Sequence, residues 1–470
     1  MLRGVLFRCG GNGRWRAAVA AADRALALYG YEEAAGLLCS ARSAQALDPR
    51  CGAAQRYQVV MAHARACRLA GDRDGQLDAV DRACRAADEL GDAELLGRAA
   101  VGTADGSVWT IRDRGVVHPP AVDALRRVLR ALPEHDSDLR CRALLTLAGE
   151  LHYAPARRER DALAEEGLAM SRRIGDPALL AWAATTAFVA TWQPVNADRR
   201  WRLIDAALAD ESRGGGDRGV VDEAAWVHLR TFRAVAGLET GRIAEMERDV
   251  AEAWAGAERL RLGYPLFVLT GLQTPWLAMR GRFAEAEALL AEGAALAERT
   301  ALPAKESFGL LPLFVRLWQG RAAEFLPVAR ALFAAVPDLS TAMLLLVLAR
   351  TGHADEAGAV LDTTGWVPDG GTWSGSFDLS VAAHAAYVAR RPALAAAVYR
   401  ELAPLAGRVA AAGSGGAIGP VDAYLALAAA ATGERDLATR HADAAAALAA
   451  AWDLPVFARW LTDLRSSGDF

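Results

Sequence analysis

The chain has 470 residues, of which 53% are apolar and 23% are charged, and its formal net charge is −4. The apolar fraction excludes a disordered chain. The sequence pI of about 6.1 argues against a nucleic-acid-binding surface, for which a domain pI above ~9 is the usual footprint, and we expect no direct nucleic-acid binding. With 107 alanines and few Val and Ile residues, the composition favours helices over sheets.

The sequence contains one lysine, Lys305, and this residue bears on nucleotide chemistry. A Walker A loop places Lys directly after Gly, so that the ammonium group reaches the phosphates of a nucleotide. Lys305 follows Ala304, so the chain has no such motif and we expect no ATPase of this type.

No segment predicts a membrane anchor, a metal site or a cofactor site. Arg8 interrupts the apolar N-terminal stretch, and no charge-free apolar run reaches the ~18 residues that cross a bilayer. The eight His residues are scattered without HExxH spacing. The six Cys residues form no CxxC pair, which indicates buried free thiols in a reducing compartment. We therefore expect a cytoplasmic protein with no metal and no cofactor.

Residues 1–20 look irregular, and apolar residues then recur at helical spacing over 21–470. The predicted helices are separated by Gly and a polar residue, because Gly accepts the left-handed conformation that ends a helix. The markers are Gly71-Asp72, Gly91-Asp92, Gly175-Asp176, Gly241-Arg242, Gly281-Arg282, Gly320-Arg321, Gly352-His353 and Gly433-Glu434, with Arg390-Arg391 in the same place without Gly. The pattern predicts tight turns between antiparallel helices.

Small residues follow these turns at fixed distances and let two helices approach closely. Ala286 and Gly293 lie five and twelve positions after Gly281, and Ala438 and Ala445 repeat this spacing after Gly433. This regularity predicts an all-α fold, an α-solenoid of about ten helix hairpins in a right-handed superhelix.

We predict one domain over 21–470, with flexible loops at 213–217 and 368–376 rather than domain boundaries. The stretch 106–120 contains no Ala, and we expect it to interrupt the solenoid. The Gly-rich segment 413–419 lacks the spacing of a dinucleotide-binding loop. It predicts a turn that follows a helix and enters another helix near Pro420.

The turn and small-residue pattern resembles tetratricopeptide (TPR) repeats in a long form near 40 residues. Residues 161–177, 281–290 and 419–427 further resemble the helical-repeat region of actinobacterial LuxR-type and related signalling regulators, which carry a STAND-class ATPase upstream. The resemblance covers roughly residues 20–465 and implies a TPR-like superhelix. Because the P-loop is absent and Phe470 closely follows the last repeat, we expect a standalone repeat protein or a fragment of a larger regulator.

The TPR resemblance also predicts which residues line a concave groove. With the turn Gly as position 15, positions 5, 9 and 12 of the first helix carry no charge in five repeats. They include Val235, Leu238, Leu310, Phe314, Leu317 and Leu346. An apolar groove suits an amphipathic helix, an apolar ligand, or self-packing of a tight superhelix.

A second candidate site is a group of aromatic and basic residues close together in sequence. It comprises Trp182, Trp192, Arg199, Arg200 and Trp201. Indole rings and guanidinium groups can bind a peptide or a ligand through stacking and cation–π contacts. Alternatively, these Trp side chains fill wide gaps in an Ala-rich core.

These observations favour binding without catalysis. The first hypothesis is an interaction module in signalling or transcription control, whose partner is a protein such as a separately encoded regulator or ATPase. The second is a sensor that holds a small apolar ligand inside the superhelix. The third is a biosynthetic enzyme on a helical scaffold.

Overall fold

The structure is a computed structural model that describes residues 13–106, 111–112, 115–213, 223–299 and 310–467. Within these ranges it contains 23 α-helices and one pair of short strands, so the predicted all-α class is confirmed. The Ala-rich composition explains this, because Ala loses no side-chain entropy in a helix.

The first eleven helices run from Arg14 to Glu239. They are α1 Arg14–Ala27, α2 Tyr31–Ala46, α3 Ala53–Ala70, α4 Arg73–Leu90, α5 Ala93–Ala100, α6 Pro119–Ala131, α7 Asp138–Glu150, α8 Arg157–Ile174, α9 Pro177–Ala190, α10 Ala197–Arg213 and α11 Glu223–Glu239. Short 3₁₀ turns lie at Val101–Thr103 and Pro194–Asn196.

The remaining helices run from Ile243 to Ser467. They are α12 Ile243–Arg259, α13 Gly263–Met279, α14 Phe283–Arg299, α15 Leu311–Trp318, α16 Leu326–Ala335, α17 Pro337–Arg350, α18 Ala354–Thr364, α19 Gly375–Val388, α20 Pro392–Leu402, α21 Val421–Ala431, α22 Arg435–Ala451 and α23 Pro455–Ser467. Two further 3₁₀ turns occupy Ala322–Phe325 and Ala403–Leu405.

The predicted turns between helices are present. All eight marker glycines have positive φ angles, between 65° and 83°, and Arg390 takes the same conformation with a φ of 55°. After Gly71, Gly91 and Gly175, the Asp side chain accepts a hydrogen bond from the first turn of the next helix. Gly thus ends one helix and Asp starts the next one, which explains the Gly-Asp pairs.

The predicted start of the repeat domain needs correction. Helix α1 begins at Arg14, inside the segment 1–20 that we expected to be irregular, because Trp15, Ala18 and Ala22 give it an apolar face that is buried in a cluster with α2. The predicted loop 213–217 falls almost wholly on residues outside the described ranges.

The other predicted loop, 368–376, is present but is shorter and tightly held. Helix α19 already begins at Gly375. The Trp373 indole N–H donates to the hydroxyl of Tyr153 over 2.8 Å, and Asp369 forms an ion pair with Arg157. These contacts tie the loop to the segment around the start of α8, and its flexibility stays a prediction.

Each helix packs mainly against its neighbours in sequence, as a repeat array requires. The array also contacts itself over long sequence separations. The Tyr31 hydroxyl donates to the Leu260 carbonyl over 3.3 Å, and Arg408 pairs with Asp198 at 2.7 Å. Later helices therefore pack against earlier ones, whereas the right-handed superhelix stays a prediction.

Between α20 and α21 lies a β-hairpin that the sequence did not predict. Strands β1 Val409–Ala411 and β2 Ala417–Pro420 pair antiparallel, and every residue of both strands is buried. The Gly-rich segment 413–419 therefore follows a strand, and not a helix as predicted. It does lead into α21, which begins at Val421 directly after Pro420.

Candidate functional site

The predicted concave groove is not open to a partner. Val235, Leu238, Phe314, Leu317 and Leu346 are each at most 2% exposed, while Leu310 is partly buried. These side chains belong to the hydrophobic core or border it, so these positions line no open groove in the part of the chain that the structure describes.

The β-hairpin explains why this space is closed. Gly416 lies so close to Phe314 that a Cβ atom on it would be 2.1 Å from the ring, and a Cβ on Gly271 would be 2.5 Å from the carbonyl oxygen of Ser414. Strand β1 also packs against α11 and α19, and β2 packs against α13. Of the three occupants that an apolar groove suits, the geometry shows self-packing.

The predicted Trp and Arg group is divided among separate places in the core and on the surface. Trp192 is fully buried, and its indole N–H donates to Glu239 over 2.8 Å. The Arg200 guanidinium is 1% exposed, pairs with the same carboxylate at 2.5 Å and lies 4.5 Å from the Phe188 ring. This part of the group is a buried core network centred on Glu239, in which Nε and Nη1 of Arg200 have no hydrogen-bond partner among the described residues.

The other members have different neighbours. Trp182 donates to Asp105 over 2.8 Å, Arg199 pairs at the surface with Glu165 at 3.1 Å, and Trp201 lies 4.4 Å below the guanidinium of Arg242. Thus the five residues form no common binding surface, and the alternative of gap-filling Trp side chains describes Trp192 well.

The chemistry of the described residues gives no metal centre. They contain no group of three or more His, Cys, Asp and Glu side chains that could hold a metal ion. Within the same ranges the cysteines form no disulfide, and burial raises the pKa of the Cys67, Cys84 and Cys141 thiols to about 12. Such thiols stay protonated and are poor nucleophiles. Lys305 lies outside the described residues.

No described helix is long and apolar enough to cross a membrane.

An open groove lies instead on the face formed by α12, α13 and α14, with a volume of about 600 Å³. We call it the outer groove. Its apolar lining comprises Met246, Val250, Trp254, Leu272, Trp276, Leu277 and Leu289. Trp254 and Leu277 are partly exposed, and the neighbouring Ala251 and Ala255 are exposed. Small residues beside a partly exposed indole allow close approach of another helix.

Some charged side chains around the outer groove form ion pairs and others do not. Arg280 pairs with Glu247, and Arg282 pairs with Glu285 at 2.5 Å. Glu258 and Glu292 also line the groove and form no ion pair with any described residue. The groove therefore offers apolar surface together with two carboxylates that are available to basic groups.

A second cleft, of about 730 Å³, lies between α4 and α6. Both helices contribute charges of both signs: Asp81, Arg85 and Asp88 lie on α4, and Asp123, Arg126, Arg127 and Arg130 lie on α6. The pair of Arg127 with Asp88 at 3.0 Å spans it. Because an ion pair already crosses this cleft and its lining charges are of both signs, it is the weaker candidate.

The outer groove was missed because the TPR register directed attention to the first helix of each repeat. The signal was nevertheless present in the second helix of one repeat. Ala251, Trp254, Ala255 and Glu258 recur at spacings of three and four residues and so share one face of α12.

Comparison with known proteins found no matching family model and no similar curated protein.

Proposed function

We propose that this protein is a non-catalytic interaction module and that its outer groove binds an amphipathic, basic helix of a partner protein. The single observation that carries the proposal is the open outer groove, with its partly exposed Trp254 and with Glu258 and Glu292, which form no ion pair within the described ranges. The space between the first helices, by contrast, is filled by the β-hairpin.

The proposed contact follows from the chemistry of the groove. Trp254 is the residue type that most often anchors an interface, and it can meet an apolar residue of the incoming helix. Ala251 and Ala255 leave room for that helix. Lys or Arg residues on its flank would pair with Glu258 and Glu292, which adds orientation and a faster association.

The resemblance to repeat regions of LuxR-type regulators supports a role in signalling or transcription control. In such a role the partner would be a separately encoded regulator or ATPase. The free thiols of the described cysteines support a place in the cytoplasm.

Site-specific photocrosslinking in the full chain tests the proposal. A photoreactive amino acid at Ala255 should capture a partner in cells, and the same group at Ala396, exposed on α20, serves as the control. We expect the crosslinked peptide to form an amphipathic helix with net positive charge. The synthetic peptide should then bind the purified protein in a fluorescence titration.

Substitutions in the outer groove test whether the peptide binds there. Trp254→Ala should weaken peptide binding by about 30-fold, as loss of an interface anchor does, and the double change E258R/E292R should weaken it at low salt. Val328→Ala, at a residue that is 48% exposed on α16, should change nothing. Equal capture at Ala255 and Ala396, or peptide binding that Trp254→Ala leaves intact, would refute the proposal.

A further inference from the structure

The Arg350 side chain, at the end of α17, is held between two indole rings. Its guanidinium carbon lies 4.5 Å from the Trp318 ring of α15 and 4.3 Å from the Trp460 ring of α23. The rings of His384 and Tyr424 lie 5.9 and 6.0 Å from Trp460. We call these five residues the Arg350 cluster.

Arg350 differs from the buried arginines of the core because no carboxylate among the described residues pairs with it. Its Nη1 atom is buried without a hydrogen-bond partner, and no carboxylate of the described ranges lies within 4.0 Å of the guanidinium. In contrast, Arg200 pairs with Glu239, Arg160 with Asp161 and Arg112 with Glu150. Folded proteins normally give a buried cation a partner, since removing it from water is costly.

Two more nitrogen atoms of the cluster are unpartnered. These are Nε1 of Trp318, which is 5% exposed, and Nδ1 of His384, which is 3% exposed. The Tyr424 hydroxyl donates to the Ile418 carbonyl over 2.8 Å, and neither of these two nitrogen atoms is hydrogen-bonded to it. Thus the cluster contains three buried nitrogen atoms without a hydrogen-bond partner among the described residues. At least two of them, Nη1 of Arg350 and Nε1 of Trp318, are donors.

The electrostatics agree with this geometry. Burial lowers the pKa of Arg350 to about 10, so the group stays charged at neutral pH. Burial and the nearby Arg350 cation lower the pKa of His384 to about 3, so the imidazole is neutral. The cluster therefore carries one positive charge, and the described residues supply no opposite charge to balance it.

We propose that the Arg350 cluster is a binding site for an oxyanion, the carboxylate or phosphate group of a small molecule. A guanidinium group presents a planar fork of donors that matches the oxygens of both anions. Arg350 and Trp460 are partly exposed as whole residues, so the cluster lies at the edge of the core, although Nη1 of Arg350 is itself buried. The two indole rings hold the guanidinium group between them and restrict its rotation.

Isothermal titration of the full chain with inorganic phosphate, and separately with acetate, tests this site in a chloride buffer of matched ionic strength. We expect saturable binding of at least one anion, and the stronger one identifies the chemical class of the ligand. Arg350→Lys keeps the charge but loses the fork, and it should weaken binding at least tenfold. Arg350→Met should abolish it, whereas Arg248→Gln, at an exposed arginine of α12, should have no effect.

A stability measurement guards against a variant that fails to fold. Because Arg350 is an unbalanced buried cation, Arg350→Met without added anion should unfold at the same or a higher denaturant concentration than the wild type. The site is refuted by a titration with neither anion showing saturation, by equal binding to Arg350→Met, or by marked destabilisation of Arg350→Met in plain chloride.

Discussion

At the scale of single residues, burial of charge decides what each arginine contributes. Glu239 illustrates this, because its carboxylate accepts from both Arg200 and Trp192 inside the core. Removing one partner of a buried ion pair leaves the other charge unbalanced, and this typically costs about 3–5 kcal/mol. We therefore expect Glu239→Gln to lower the free energy of unfolding by that amount in urea denaturation.

The matched control for this change is Glu165→Gln. Glu165 pairs with Arg199 at the surface, where both side chains are more than half exposed. Water screens such a pair, so its loss should cost less than about 1 kcal/mol. Similar losses in both variants would show that burial does not govern the Arg200 network.

At the scale of elements, two opposite substitutions in helix-ending turns test whether these turns need Gly for its backbone conformation. Arg390 has a φ of 55°, a conformation that an L-residue adopts at a cost of about 1–2 kcal/mol, and its side chain is exposed. Arg390→Gly removes that cost from the folded state. Gly also gives the unfolded chain more conformational freedom, which offsets part of the increase in the free energy of unfolding. We expect a net stabilisation of about 0.5–1 kcal/mol.

The opposite change belongs at Gly352, which occupies the equivalent turn with a φ of 75°. A Cβ atom there would meet no neighbour within 4 Å, so Gly352→Ala tests the backbone alone. It should destabilise the protein by about 1 kcal/mol in the same denaturation assay. If both variants shift stability in one direction, the turns do not select Gly for its conformation.

At the scale of the whole molecule, the sequence predicted the features that depend on residues close together in the chain. Helix-ending glycines act within a few residues, so the turns were found from sequence, including the one at Arg390. The β-hairpin was not found, because Val409, Ala410 and Ala411 also fit a helix. They form a strand through pairing with 417–420 and burial among helices far away in sequence.

The candidate sites also differ in whether nearby sequence could reveal them. Phe314 was correctly identified as apolar, yet nothing near it in sequence indicates that Gly416 covers it. The Arg350 cluster likewise joins α15, α17, α19, α21 and α23, and only the fold brings these helices together. The outer groove was accessible to prediction, because one face of α12 carries most of its signal.

Two buried histidines predict how the stability of the whole molecule depends on pH. Burial lowers the pKa of His152 to about 4 and that of His384 to about 3, from an ordinary value near 6.5. The unfolded chain therefore binds protons at higher pH than the folded one does. The stability that the neutral imidazoles provide is complete above pH 7 and is lost as the pH falls below 6.5.

Each histidine should contribute a slope of up to about 1.4 kcal/mol per pH unit, or about 2 kcal/mol between pH 6.5 and 5. This interval lies above the range in which most carboxylates titrate, so urea denaturation at pH 7.5, 6.5, 5.8 and 5 isolates the effect. His152→Gln and His384→Gln should each flatten the slope, whatever they do to stability at pH 7.5, and the double variant should flatten it further. The buffers should contain chloride and neither phosphate nor carboxylate, because an anion beside Arg350 would raise the pKa of His384 and shorten the window. A wild-type stability that stays constant from pH 7.5 to 5 would contradict the buried, neutral state of both imidazoles.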